Sequence, residues 1–206
     1  MRARARHAAV LGTACLLALA SAACSLALNG MGEVSSYDFG PAPQVAGGSP
    51  RLAQPVLVYD VTGPAWMESQ SVFYRLAYLD AARPQPYANS RWVMPPAALL
   101  SARLRQRLAA AGGFVVHPGD GLRAPVALRV ELDEFTQVFD AESRSRAVVR
   151  LRASLAGPRA LIAQKSFNVE RTAATPNGEG GVRALSAASD AALDQLLEWV
   201  AASIKN

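Results

Sequence analysis

The sequence predicts an α+β fold, a two-layer sandwich in which a mixed, mostly antiparallel sheet of five or six strands carries two helices on one face. Several segments alternate apolar and polar residues, which is typical of strands with one buried and one wet face. Two other segments repeat apolar residues every three or four positions, which is typical of amphipathic helices. With 206 residues, 51% hydrophobic and 18% charged, the chain suits a single globular domain and not a disordered protein.

Strands are predicted where the alternation is clear and turn residues bound it. The most regular alternation occupies two segments on either side of a polar turn at 140–143, which indicates an antiparallel pair. Two alternating aromatic residues also predict a short edge strand close to the N-terminus. The predicted strands are 56–61, 71–79, 125–135, 146–155 and 161–169, with the edge strand at 36–39.

Two helices complete the predicted fold. The first begins at the proline pair 95–96 and ends at the next glycine pair, because proline is tolerated in the first helical turn and glycine favours a helix end. Its leucines recur on one stripe, and Arg103 and Arg107 lie mostly off that stripe. The second helix is predicted over 182–204, after a polar, glycine-rich loop at 175–181.

The N-terminus has the plan of an export signal. In residues 1–23, three arginines precede an apolar stretch that is too short to span a bilayer. The Ser-Ala-Ala-Cys run at 21–24 is similar to a bacterial lipobox, so Cys24 is predicted to follow the cleavage site and to carry acyl chains such as palmitate. The alternative is ordinary cleavage after Ala22 or Ala23. No cysteine follows Cys24, so the exported chain has no internal disulfide.

Composition then separates a tether from a domain. Residues 24–54 are rich in Gly, Pro, Ala and Ser, which predicts a flexible tether, and the single domain is predicted over 55–206. Three of the 21 basic side chains lie in residues 1–23, and the first acid is Glu33. The net charge of +5 therefore belongs largely to the signal peptide. The rest of the chain lacks the basic excess of a nucleic-acid-binding protein.

The sequence offers little catalytic chemistry. His117 stands alone in a Gly/Pro turn, and no phosphate-binding loop or nucleophile elbow is present. Glu131 and Asp133 share one strand face, which is a spacing that an acid/base pair uses. Cross-strand ion pairs with Arg150 and Arg152 explain the same residues. We favour the ion pairs and predict a protein that is not an enzyme and has no metal or cofactor.

Aromatic residues indicate a contact surface instead. Five Trp and Tyr side chains fall between Trp66 and Trp92, and residues of these types are enriched where proteins meet partners. Most of them are expected in the core. The less regular stretch from Tyr87 to Trp92 is the best candidate for an exposed surface, with Tyr87, Arg91 and Trp92 as partner contacts.

The order of several short segments resembles the ABC-type transport auxiliary lipoproteins, the PqiC-like group. The segments, after the lipobox-like Cys24, are Tyr-Asp-Phe-Gly-Pro (37–41), Phe-Tyr-Arg-Leu-Ala-Tyr (73–78), Tyr-Ala-Asn-Ser-Arg-Trp (87–92), Pro-Pro-Ala-Ala-Leu-Leu (95–100), Leu-Asp-Glu-Phe-Thr-Gln-Val-Phe-Asp (132–140) and the closing helix up to Trp199. The resemblance covers nearly the whole chain after the signal. Many relatives read Trp-Ala-x-Pro at 92–95, where this chain has Trp-Val-Met-Pro, and that departure blurs the subfamily.

The resemblance implies a non-catalytic, periplasm-facing lipoprotein of the outer membrane. Its implied partners are an ABC transporter permease and ATPase and an MCE-domain protein, in systems linked to lipid movement and envelope integrity. Ser25 after Cys24 favours outer-membrane sorting by the enterobacterial rule. Homo-oligomerisation and direct contact with phospholipid are left open. One alternative is an assembly lipoprotein that scaffolds an outer-membrane complex without a transporter. Another is a periplasmic hydrolase that uses Glu131 or Asp133.

Overall fold

The computed structural model describes residues 33–43, 52–112 and 114–204. The predicted signal peptide (1–23), Cys24 and parts of the predicted tether lie outside the described residues. The compact unit runs from Ser35 to Asn206. It therefore begins before Pro55, because a strand within the predicted tether is part of the sheet.

The described fold is α+β, as predicted, with eight strands and two α-helices. Two single turns of 3₁₀ helix, Ala65–Met67 and Pro118–Asp120, lie in the connections. The elements in chain order are β1 (Ser35–Tyr37), β2 (Val56–Val58), β3 (Ser71–Leu76), β4 (Pro84–Trp92), α1 (Pro96–Ala110), β5 (Val115–Val116), β6 (Val126–Ala141), β7 (Arg144–Ala156), β8 (Leu161–Thr172) and α2 (Gly178–Ser203).

Strand β6 is the centre of a forked, mixed sheet. On one side it pairs antiparallel with β7, which pairs antiparallel with β8. On the other side, the first half of β6 pairs parallel with β2 and the second half pairs parallel with β3. Strand β5 extends the β2 branch, and β4 followed by β1 extends the β3 branch. The sheet is therefore more mixed than a simple meander.

Both helices cover the same face of this sheet. Along β7, the alternate residues from Ser145 to Leu155 are buried, and α2 packs across β7 and β8. Leucines of α1 and α2 belong to the same core cluster as Leu128 of β6 and Leu151 of β7. The opposite face is the open face, where the alternating charged side chains lie. The predicted packing of both helices on one face of the sheet is confirmed.

The predicted strands differ from the observed ones most at β4, β5 and β6. Strand β4 was not predicted because Pro84 and Pro86 look like strand breakers, but β1 covers only the last residues of β4 and leaves the prolines at an open edge. Strand β6 was predicted to end at 135 but continues to Ala141. A bulge at Asp133 shifts the apolar positions by one residue, so the alternation no longer marks the second half of the strand. The two-residue strand β5 is too short to show alternation.

Helix α2 also begins four residues before its predicted start. The Asn177 side chain caps it by accepting a hydrogen bond from the Gly180 backbone N–H at 2.8 Å. The glycines that indicated a loop are needed for packing. A Cβ on Gly178 would lie 2.6 Å from Ser90 Oγ, and one on Gly181 would collide with the Gln137 side chain.

Candidate interaction surfaces

Trp92, one of the three predicted partner contacts, is a core residue. Its side chain is 1% exposed, and its ring lies edge-on to Phe39 and Phe135 with centroids 5.6 Å away in both cases. Trp92 ends β4, and its ring faces the helices. This corrects the expectation that the Trp92 ring is available to a partner.

Tyr87 lies half-buried at the N-terminal end of α2. Its hydroxyl donates a hydrogen bond to Gln137 Oε1 at 2.8 Å, and Gln137 Nε2 donates to Ser145 Oγ at 2.7 Å. Burial raises the pKa of the Tyr87 hydroxyl well above its usual value of 10.0, and the neighbouring Tyr74 adds to the effect. Tyr87 therefore serves a buried polar network, in which Gln137 is fully buried.

Arg91 is the exposed member of the predicted trio. It precedes Trp92 on a strand, so its side chain points to the open face. In the register of the sheet it lies between Ser36 of β1 and Ser71 of β3. Arg91 forms no ion pair with any described residue. Val93 beside it is also exposed.

The irregularity noted in the Tyr87–Trp92 sequence corresponds to a break in strand pairing. Pro86 pairs with Phe73 and Arg91 pairs with Ser71, so β4 has several more residues than β3 over this stretch. The extra residues leave β3 and approach α2, where Ser90 lies against Gly178. Strand β1 pairs with the outer edge of β4 from Ser90 onward, so it lies directly beside this stretch.

A second feature holds β1 and the segment after it to the helices. Arg103 of α1 is buried, and its Nη2 donates a hydrogen bond to the Gly40 carbonyl oxygen at 2.6 Å. The same guanidinium lies 5.9 Å from the centroid of the Phe39 ring. Its Nε is 3.7 Å from Asp190 Oδ1 of α2. We call Phe39, Gly40, Arg103 and Asp190 the N-terminal latch, because they join the first described segment to both helices.

Arg107, one turn later on α1, extends this ion-pair network. Its side chain is buried, pairs with Asp190 at 2.9 Å and also bonds Asp194. Burial raises the pKa of the Asp194 carboxyl, against the lowering influence of Arg107. Sequence reasoning placed Arg103 and Arg107 off the apolar stripe and missed their burial. The sequence feature that could have indicated this buried network is the same i, i+4 spacing of two arginines on one helix and of two aspartates on the other.

On the open face, Glu131 and Asp133, which the sequence also allowed as an acid/base pair, lie beside an arginine. Arg152 bonds Glu131 and lies 3.9 Å from Asp133, and all three side chains are well exposed. The predicted cross-strand ion pairs with Arg152 are therefore present. Nearby, the Arg129 guanidinium stacks 4.4 Å from the centroid of the Tyr59 ring.

Within the described ranges, no three His, Cys, Asp or Glu side chains are grouped closely enough to hold a metal ion. His117 is half-buried at the start of the second 3₁₀ turn. Among the helices of the described residues, none has the length and apolarity needed to cross a membrane.

Comparison with solved structures shows where this fold occurs. It is similar to the crystal structure of protein XCC0632 from Xanthomonas campestris, of the family model DUF330, with a TM-score of 0.73 and 16% identity over 83% of this chain and 97% of that one. An uncharacterized protein gives a TM-score of 0.59 at 17% identity, over 82% and 99% of the two chains. The hypothetical protein CT253 from Chlamydia trachomatis gives 0.51 at 10% identity, over 73% and 96%. These likenesses show the fold alone.

Sequence comparison adds the family. No curated protein sequence matches the chain. The model of the family described as ABC-type transport auxiliary lipoprotein component matches residues 37–197, which confirms the resemblance noted in the short segments. The match begins at β1 and extends into α2, so it includes the N-terminal latch. The chain belongs to the family of ABC-type transport auxiliary lipoprotein components.

Proposed function

We propose that this protein is a non-catalytic lipoprotein that docks the periplasmic part of an ABC transport system at the outer membrane. In this proposal, residues 1–23 are removed, Cys24 carries the lipid, and the partners are an MCE-domain protein and the transporter's permease and ATPase. The transported class is lipid, and the process supports envelope integrity. Membership of an auxiliary lipoprotein family supports the anchor and the link to a transporter.

The observation that carries the proposal is the N-terminal latch. Residues 25–34 separate Cys24 from Ser35, and an extended chain of that length spans at most about 40 Å. The ring of Phe39 and the carbonyl of Gly40 are then fixed by Trp92 and Arg103. A chain joined to its core so soon after the lipid keeps the domain within a short distance of the membrane. This arrangement suits a protein that docks others at the membrane.

The surface around Arg91 is the proposed contact with the partner. Arg91 lies between two serines on the open face and has no ion-pair partner among the described residues. An unpaired arginine can form two parallel hydrogen bonds with a carboxylate of another protein. Trp92, the next residue of β4, is fixed in the core, and Ser36 of β1 pairs with Arg91 in the sheet. The Arg91 guanidinium is therefore presented from a rigid strand. Tyr87 supports this strand from the opposite side.

Affinity capture from native membranes tests the proposal. The full chain carries a C-terminal tag, the membranes are solubilised gently, and captured proteins are identified by mass spectrometry. We expect an MCE-domain protein or a transporter permease to be enriched with the wild-type chain. Cys24→Ala should reduce the yield because the bait no longer stays in the membrane.

Arg91→Glu should reduce capture at least tenfold while the bait stays in the membrane. Arg144→Glu, an equally exposed charge reversal in the β6–β7 hairpin, is the matched control and should leave capture unchanged. Equal loss with both variants would contradict a contact at Arg91. Capture of other outer-membrane proteins without any transporter component would contradict the transport role and favour the scaffold alternative.

A further inference from the structure

Four of the ten exposed large apolar side chains of the described residues lie at one end of the sheet. At this end β2, β6 and β8 begin and β7 finishes, since Val56 pairs with Val126 and Ala156 pairs with Leu161. Most apolar residues of this size are buried in a folded protein, so a group of exposed ones at one end is unusual. The exposed fractions are 78% for Phe114, 65% for Leu122, 59% for Leu161 and 46% for Ile162. We call these four residues the apolar end.

The strand order places the four residues along the same end of the sheet although they come from separate segments. The Phe114 carbonyl oxygen accepts a hydrogen bond from the Val56 N–H at 3.0 Å, which fixes Phe114 beside the start of β2. Leu122 comes four residues before Val126, where β6 begins. Leu161 and Ile162 open β8, and a Cβ on Gly157 of the preceding turn would lie 3.6 Å from Ile162 Cδ1. The positions of all four follow from the sheet.

A shallow apolar groove of about 650 Å³ opens at the same end. Its lining is mostly apolar and includes Pro125, Val126, Ile162 and Ile204, the last from the end of α2. The Arg159 side chain lies at its border.

The charges around the apolar end are mainly positive. Over residues 114–126 and 156–165 the basic side chains are Arg123, Arg159 and Lys165, and the acid is Asp120. The Asp120 carboxylate already accepts a hydrogen bond from the His117 backbone N–H at 2.8 Å. Exposed apolar residues bordered by arginines are complementary to a partner that has an apolar interior and negatively charged groups at its surface.

We infer that the apolar end docks on an anionic phospholipid surface. Phe114, Leu122, Leu161 and Ile162 enter the acyl layer, and Arg123 and Arg159 contact the phosphates of the headgroups. A second copy of the chain fits less well, because two copies meeting through this end would bring their arginines together. The inference deepens the proposed function, and depends on it only for which membrane is contacted.

Site-specific fluorescence on the full chain tests this docking. Leu161→Cys, in a Cys15→Ala, Cys24→Ala background, carries an environment-sensitive fluorophore, and vesicles contain phosphatidylcholine with or without 30% phosphatidylglycerol. Leu79→Cys is the matched control, because Leu79 is 72% exposed and lies in the β3–β4 turn at the opposite end of the sheet. Residues 1–34 are otherwise the same in both variants, so any membrane contact that they make is common to both.

With anionic vesicles, we expect a blue shift and quenching by spin-labelled acyl chains at position 161 but not at position 79. Arg123→Gln with Arg159→Gln should lower the partition coefficient roughly 25-fold, at about fivefold for each basic residue near an anionic surface. Arg144→Gln should leave it unchanged.

Three outcomes would overturn the inference. The first is no quenching at position 161, and the second is equal quenching at both positions. The third is a blue shift at 161 without vesicles together with a doubled mass in sedimentation, which would assign the apolar end to a second copy. Because the Cys24→Ala background has no lipid anchor, none of these outcomes affects the capture of a transporter component by the wild-type chain.

Discussion

The two faces of the sheet use the same strands for different purposes. On β7, Leu151 is fully buried under the helices, and Arg152 beside it points to the open face and bonds Glu131. In the helix layer over the covered face, even charged residues are buried and paired, as Arg103 and Arg107 of α1 are with Asp190 of α2. On the open face, the paired charges stay in water. The covered face therefore supplies stability, and the open face remains available for recognition.

The sharpest contrast between buried and solvated ion pairs is expected from two aspartates that each pair with α1. Asp190→Ala leaves the buried Arg103 and Arg107 short of a partner, so we expect it to lower the free energy of unfolding by about 3–5 kcal/mol. Asp60→Ala removes the exposed pair with Arg105 and should cost less than about 1 kcal/mol. Urea denaturation measures both. Similar losses from the two variants would mean that the buried network does not join the helices.

A second contrast uses neighbouring residues on opposite faces of β7. Leu151→Ala should cost about 2–5 kcal/mol because it opens a cavity in the core. Arg152→Ala should cost less than about 1 kcal/mol, since its ion pairs are solvated. Thermal unfolding monitored by circular dichroism compares the two variants. A cost of several kcal/mol for Arg152→Ala would contradict the solvent-exposed position of its ion pairs on the open face.

Among the three substitutions of buried groups, the smallest effect is expected at Tyr87. Tyr87→Phe leaves Gln137 Oε1 without its donor and should cost about 1–2 kcal/mol at pH 7. Burial raises the pKa of Tyr87 in the folded protein, so its contribution is complete below pH 10 and is lost as the pH rises further. The stability difference between wild type and Tyr87→Phe should therefore shrink above pH 10. A difference that is constant from pH 7 to 11 would contradict the buried position of the hydroxyl.

Alternation and helical periodicity predicted most of the fold, because burial on one face imposes a period on the sequence. These patterns failed where a contact with a distant segment overrides the local preference of the residues. The prolines of β4 are tolerated because β1 does not cover them, and the bulge at Asp133 shifts the period of β6. Gly178 and Gly181 belong to a helix and not to a loop, and these positions need glycine because Ser90 and Gln137 approach the helix closely. No pattern within one segment contains these contacts.

The candidate surface was predicted in part for the same reason. Aromatic composition directed attention to the right segment of the chain. It could not separate Trp92 from Arg91, because their opposite orientation follows from β4 being a strand. The N-terminal latch was missed because it joins three segments that are distant in the sequence. Its charges match only when Arg103 and Asp190 are placed on facing helices.

Mass spectrometry of the N-terminal peptide from native membranes tests the central claim, that this domain works from a lipid anchor, most directly. We predict a mature chain that begins at Cys24, with no peptide from residues 1–23 and with the added mass of a diacylglyceryl group and an N-acyl chain. Phe39, the first residue of the latch, then lies 15 residues after the lipid-bearing Cys24. A mature chain with an unmodified Cys24, or one that begins elsewhere, would contradict the claim.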